Sequence, residues 1–279
     1  MRRFSLTPYL LASTFLLLPH CVSDDFNNLA TGLAPPTPMQ AALMAVDLYD
    51  ADDRRTGITL LANSSFGGAP EYLKMYREYV VEDRDPLVRA ASIKALARFG
   101  NPDDAVLIAP WLSRSKEESS QVRRAAAAAM QRLHNPAVVP ELLRSLRDQD
   151  EENQVRYSVA TALGQYPENQ VFIGLIAALQ AGDFSVNLSA AQSLRTLTGQ
   201  VFGTDWDAWY DWGELVVAMN QDIFASISVY EYPTYQHEAR WWDNLTFWEH
   251  RIHEKPDAPA GLKEASTRST YDDEADVPK

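Results

Sequence analysis

Asp85-Pro86-Leu87-Val88-Arg89, Ser119-Ser120-Gln121-Val122-Arg123, Glu152-Asn153-Gln154-Val155-Arg156 and Asp183-Phe184-Ser185-Val186-Asn187 are four copies of one short pattern. Their valines lie 34, 33 and 31 residues apart, and a period in this range marks a solenoid assembled from one supersecondary unit. Eight residues after each valine stand Leu96, Met130, Leu163 and Leu194, and eleven after stand Phe99, Leu133, Tyr166 and Leu197. With Ala91, Ala125, Ser158 and Ser189 three residues after, these trace one face of a helix. Further on come Ala105, Ala109 and Leu112, then Val139, Leu143 and Leu146, then Phe172, Ile176 and Leu179, again at helical spacing. Each unit is therefore predicted to be a pair of helices.

The punctuation agrees. Asp85-Pro86 reads as an N-cap followed by a proline at the first helical position, and Gly100-Asn101-Pro102 and His134-Asn135-Pro136 fall between paired helices. The run Ala125 to Ala129 allows neighbouring backbones to approach closely, so stacked units bury a continuous core that one unit alone could not.

The Asp-x-x-Val-Arg opening of an Ala/Leu-rich helix resembles HEAT repeats, in particular the short HEAT-like repeats shared with phycobilisome lyase subunits. The resemblance covers Asp83 to Leu197, and Asp52-Asp53-Arg54-Arg55 with Leu61 and Tyr72-Leu73 resembles one degenerate earlier unit, Arg54 aligning with Arg89. Neither the aromatic and Gly pattern of tetratricopeptide repeats nor the Thr-Pro-Leu-His of ankyrin occurs. The implied fold is all-α, a right-handed α-α superhelix. In that family the recurring Asp and Arg tie adjacent repeats together, which makes Asp85, Arg89, Arg123 and Arg156 a structural ladder here. The alternative is a row of arginines facing an acidic ligand.

The fourth unit departs from the others. Its second helix gives way to Leu197 through Asp205, followed by Trp206, Trp209, Tyr210 and Trp212. This resembles the terminal unit of many exported bacterial HEAT-repeat proteins, a Thr-Gly turn before a Trp-rich helix. With Thr204 or Asp205 as N-cap, Trp206, Trp209 and Tyr210 share a face, and the tryptophans are expected to close the open end of the core. A sugar-binding platform is the other reading of these rings.

The chain ends carry address and accessory signals. Arg2 and Arg3 precede an uncharged apolar stretch from Phe4 to Leu18, the layout of a secretory signal over residues 1–20. Leu18-Pro19-His20-Cys21 resembles a bacterial lipobox through Leu18 and Cys21, which implies a lipid-modified Cys21 and an exported, membrane-anchored protein. Cleavage after Ser23 would instead leave a soluble periplasmic or secreted protein. Residues 21–38, rich in Asp, Asn and Pro, read as a tether, and 39–82 as the degenerate N-terminal repeat. The repeats and their Trp-rich cap fill 83–212, an aromatic extension follows over 213–254, and 255–279 reads as a disordered tail. In the extension Trp241, Trp242 and Trp248, with Leu245 and Ile252, stand at helical spacing, suited either to packing on the last repeat or to docking a partner.

Composition sets the remaining limits. The 279 residues are 46% hydrophobic and 23% charged, as a globular chain requires. A net charge of −13 tells against nonspecific nucleic-acid binding, and removal of residues 1–20, which hold Arg2 and Arg3 but no acid, makes it −15. One Cys excludes a disulfide framework and a cysteine-built zinc site. His250 and His253 have the spacing of a helical metal pair, yet a solvated polar face is the simpler reading, so no metal or cofactor is assigned. HEAT-type iron hydroxylases carry His-Glu pairs inside their repeats, whereas His237-Glu238 lies outside these. No Ser-His-Asp set, Gly-rich phosphate loop or paired-carboxylate motif stands out, so no catalytic residue is assigned. The reading is a non-catalytic scaffold of the bacterial envelope with an unidentified protein partner. The alternative from another class is an enzyme-assisting subunit of the bilin-lyase kind.

Overall fold

The computed structural model describes residues 36–225 together with 229–230 and 263–264. Eleven helices account for most of them, in the unit that begins at Pro38. They are α1 (Pro38–Ala45), α2 (Ala51–Ala62), α3 (Pro70–Glu82), α4 (Pro86–Phe99), α5 (Pro102–Ile108), α6 (Ser120–Arg132), α7 (Val139–Arg147), α8 (Asn153–Leu163), α9 (Asn169–Ala178), α10 (Phe184–Thr198) and α11 (Trp206–Ala218). Short 3-10 turns, Ala109–Leu112 and Pro136–Val138, prolong α5 and lead into α7. The first helices of the repeats, α2, α4, α6, α8 and α10, pack side by side as one layer, and the second helices, α3, α5, α7, α9 and α11, form the other. Two residues of the segment read as a tail, Lys263–Glu264, pair in parallel with Val229–Tyr230.

Local chemistry places the helix ends. Asp50, Asp85 and Asp183 are N-caps whose carboxylates accept the first free amides of α2, α4 and α10. Asn101 and Asp104 form a reciprocal capping box on α5, and Asn135 receives the amide of Ala137. After α10, Gly199 adopts φ 74°, a left-handed position that glycine occupies without strain, and its amide closes on the carbonyl of Arg195.

Apolar side chains from both layers meet in one core. Val88, Val122, Val155 and Val186 are fully buried, as are Leu96, Met130, Leu163 and Leu194 one helix face further on. All nine second-helix positions from Ala105 to Leu179 anticipated from the spacing are buried as well. Small residues set the tightest crossings. A Cβ at Gly57 would lie 2.2 Å from the backbone nitrogen of Ala45, so α1 crosses α2 backbone to backbone, and one at Gly174 would lie 2.5 Å from Leu143 Cδ2, where α9 meets α7.

Two buried tyrosines give the core a pH limit. Burial pushes the Tyr76 and Tyr166 phenols well above the ordinary tyrosine value. A raised folded value means that their contribution is complete below the unfolded pKa of about 10 and is lost as pH rises beyond it, because the unfolded chain releases those protons first. The two hydroxyls differ in company. Tyr166 donates to the Met130 carbonyl at 2.8 Å, whereas the Tyr76 hydroxyl has no hydrogen-bond partner among the described residues. In urea melts at neutral pH, Tyr76→Phe is expected to raise stability by about 1 kcal/mol and Tyr166→Phe to lower it by about 1 kcal/mol. Above about pH 10 both variants should lose stability less steeply than the parent.

Candidate interaction surface

A ladder of charge joins successive first helices. Arg54 on α2 binds Asp83 through Nε at 2.9 Å, Arg89 on α4 binds Glu117 through Nε at 2.9 Å, and Arg123 on α6 binds Glu151 through Nε at 2.8 Å and Nη2 at 2.7 Å. Each arginine also turns Nη1 onto carbonyls of the loop before its own helix, namely Asp47, Asp83 with Arg84, and Glu117 with Glu118. One guanidinium thus satisfies loop carbonyls that would otherwise be left unpaired and a carboxylate from the next repeat. At the third rung the side chains of Arg123 and Glu151 are 5% and 1% exposed, so this pair is sealed from water.

The ladder includes residues that the sequence reading did not name and excludes two that it did, Asp85 and Arg156. The acidic partners are Asp83, Glu117 and Glu151, which stand before the first helices. Asp85 is not a rung: its carboxylate is spent on the amides of Leu87 and Val88 at the start of α4. Arg156 donates from Nε to the Leu146 carbonyl, and no carboxylate contacts it among the described residues. The cause lies in the fourth repeat, where Ala181-Gly182 replaces the acid of the earlier loops. Hydrogen bonds without an ion pair take over between α8 and α10: Asn153 Nδ2 donates to the Asp183 carboxylate, the Thr161 and Ser189 hydroxyls share a hydrogen bond, and Ser193 donates to the Ala160 carbonyl. Because Arg89 and Arg123 are engaged within the chain, a row of arginines open to an acidic ligand is not what these rungs form.

A second series of arginines was also missed. Ten residues after the repeat valines come Arg98 and Arg132, both buried. Arg98 Nη1 donates to the Ala62 carbonyl at 2.9 Å, and Arg132 Nε donates to the Ala97 carbonyl at 2.8 Å. Each places positive charge at the C-terminal end of the preceding first helix, where the helix dipole favours it. The same offset reaches Gln165 in the third full repeat, and there the Tyr166 hydroxyl reaches back to the Met130 carbonyl instead.

At the C-terminal end, α11 takes the place of the missing second helix and continues to Ala218, past the boundary drawn at 212. Trp209 is completely buried, its indole N–H on the Gly203 carbonyl at 2.8 Å and its ring edge-on to Phe202 at 4.9 Å. Trp212 packs edge-on to Phe172 at 5.9 Å, while a Cβ at Gly213 would meet the same Phe172 ring at 2.8 Å. Tyr210, placed by its spacing on the capping face, is exposed and stacks on Trp206 at 5.1 Å. The packed stripe is Trp209, Trp212, Gly213 and Val216. It is set by where Phe172 and Phe202 stand, which helical spacing within α11 does not reveal.

The second-helix layer carries the open surface. Between the second helices of the first and second full repeats, α5 and α7, lies a hollow of about 440 Å³ floored by Ala109 and Val138 and edged by Val106, Pro110 and Ala137. A neighbouring one of about 310 Å³ is lined by Arg114, Arg144, Arg147, Ser145 and Asp148. Ser113 and Glu141 border both hollows, so they join into one groove, one end of which has an apolar floor with Ser115 and Lys116 on its rim and the other of which is charged. Ile173, Tyr210 and Leu215 are exposed further along the same layer. Among the described residues, no group of three or more His, Cys, Asp or Glu is placed to hold a metal ion, and no helix is long and apolar enough to cross a membrane. Cys21, Trp241, Trp242, Trp248, His237, His250 and His253 lie outside the described residues.

Layered helix pairs joined by inter-repeat rungs define the class, an all-α solenoid of HEAT-like repeats. A family model described as HEAT repeats matches residues 108–195, from the end of α5 into the last turns of α10. No curated protein matches the chain.

Proposed function

We propose that the protein is a non-catalytic scaffold that binds a protein partner on its solenoid while a lipid on Cys21 holds it at a membrane of the bacterial envelope. HEAT repeats generally mediate protein–protein interaction, and the observation that carries the reading is the groove on the second-helix layer. A stacked array presents such a surface on a rigid frame. The anchor is supported by the sequence alone: the only Cys of the chain directly follows the apolar stretch, and Leu18 stands three residues before it. Trp241, Trp242 and Trp248 supply a second candidate contact, since tryptophan is among the residues enriched at binding hot spots.

In-cell crosslinking of the wild type and of Cys21→Ala, followed by affinity recovery and mass spectrometry, tests both halves. The expected result is one specific envelope partner, together with an N-terminal peptide that begins at lipid-bearing Cys21. An N-terminal peptide cut after Ser23 would overturn the anchor, and recovery of no partner from either form would overturn the scaffold. Substitution of Trp241, Trp242 and Trp248 by Ala is expected to leave the melting curve in place and to weaken recovery of that partner. A collapse of the melt would make these rings structural instead.

A further inference from the structure

The groove between the first and second full repeats has a chemistry that narrows the partner which the scaffold reading above supposes. Its apolar end offers Val106, which is 50% exposed, over the buried floor of Val138. Its charged end is unusual for a chain of net charge −13, because three arginines converge there. Arg144 is held by Glu141 one turn earlier on α7, and Arg114 by Asp148 at 3.4 Å and Asp150 at 3.6 Å, all pairs with at least one partner well exposed. Glu151, which also borders this end, already has its charge matched by Arg123. Arg147 is exposed and has no ion-pair partner among the described residues. Ser145, only 7% exposed, lines the same hollow, and its hydroxyl has no hydrogen-bond partner among the described residues.

We propose that this groove takes an extended segment of a partner protein in which an apolar residue and a carboxylate side chain lie close together. The apolar side chain covers Val106 and Val138, and the carboxylate meets Arg147 and the Ser145 hydroxyl. The carboxylates of Glu141 and Asp148 on the rim select a singly charged group over phosphate, because a second negative charge would face them at short range. Charge complementarity of this kind fixes register and partner choice more than raw affinity.

The test uses the full chain and immobilised ten-residue peptides, otherwise Gly and Ser, that hold one Leu and one Glu at separations of one to four residues. Matched peptides carry Gln or phosphoserine at the Glu position. The expected outcome is saturable binding of at least one Leu–Glu spacing, weakened about tenfold by Glu→Gln in the peptide and by Arg147→Glu or Val106→Asp in the protein. Both protein positions are exposed, so the melting curve should not move. Equal binding of the Glu and Gln peptides, tighter binding of the phosphoserine peptide, or no binding of any Leu–Glu peptide would overturn the proposal. A photo-crosslinking residue at position 106, with one at exposed Lys94 on the first-helix layer as control, separates this proposal from the scaffold reading. A partner captured from 94 and not from 106 keeps the scaffold and removes this groove from it.

Discussion

Arg123→Ala is expected to lower stability by about 3 to 5 kcal/mol, the cost of leaving a buried carboxylate without its counter-charge. The magnitude follows from where the pair sits. Glu151 is 1% exposed at its side chain and receives both Nε and Nη2 of Arg123, so removal of the guanidinium leaves a charge that water cannot reach. The carbonyls of Glu117 and Glu118 lose their donor in the same step. Arg156→Ala, at the equivalent position one repeat later, should cost about 1 kcal/mol or less, because it removes one hydrogen bond to the Leu146 carbonyl and strands no carboxylate. Replacing both members, Arg123→Met with Glu151→Leu, should recover most of the loss, since a buried pair repays its own desolvation poorly. Gly182→Glu gives the converse: a Cβ there meets open space, and a carboxylate would complete the missing rung for Arg156 at a gain of a few tenths to about 1 kcal/mol. Urea unfolding of the four variants at neutral pH measures all of this. A loss for Arg123→Ala no larger than that for Arg156→Ala would show that the rungs do not bind the repeats together.

These rungs also show how far the sequence could be read. The repeat period, both helix faces, the Asp85 cap, the turn at Gly100-Asn101-Pro102 and the arginine column were legible in the sequence, because a helix facing a core must place apolar groups at fixed intervals. The acids that complete the column did not. Asp83, Glu117 and Glu151 sit in loops of unequal length, six residues before Arg89 and Arg123 but five before Arg156, so one alignment does not hold them in register. Arg98 and Arg132 were in register and still missed, since a charged residue on an otherwise apolar helix reads as solvent-facing until the preceding helix end is seen to need it. The groove was illegible for another reason. Val106 and Val138 come from different repeats, and the hollow between them depends on the 3-10 turns Ala109–Leu112 and Pro136–Val138, which helical periodicity does not encode.

Trp209→Ala should cost about 3 to 5 kcal/mol, as loss of a large buried aromatic does, and its effect should be confined to one end of the molecule. Trp209 is fully buried against Phe202 and holds the Gly203 carbonyl, so its removal opens a cavity and frees the turn that leads into α11. Trp206→Ala and Tyr210→Ala, which break a stacked pair with Tyr210 exposed, should each cost about 1 kcal/mol or less. In a solenoid each repeat contacts only its neighbours, and stability is close to a sum of repeat and interface contributions. Loss at the last interface therefore need not propagate to the first. Hydrogen exchange of Trp209→Ala is expected to show faster exchange in α10 and α11 and unchanged exchange in α2 and α4, whose packing runs through Arg54–Asp83 and Arg98 on the Ala62 carbonyl. The interface between α8 and α10 is the natural break point, because there the ion pairs of earlier rungs give way to hydrogen bonds with at most one charged partner. Uniform acceleration from α2 to α11 would mean that the stack opens as one cooperative unit, with Trp209 supporting all of it and the missing fourth rung of no mechanical consequence.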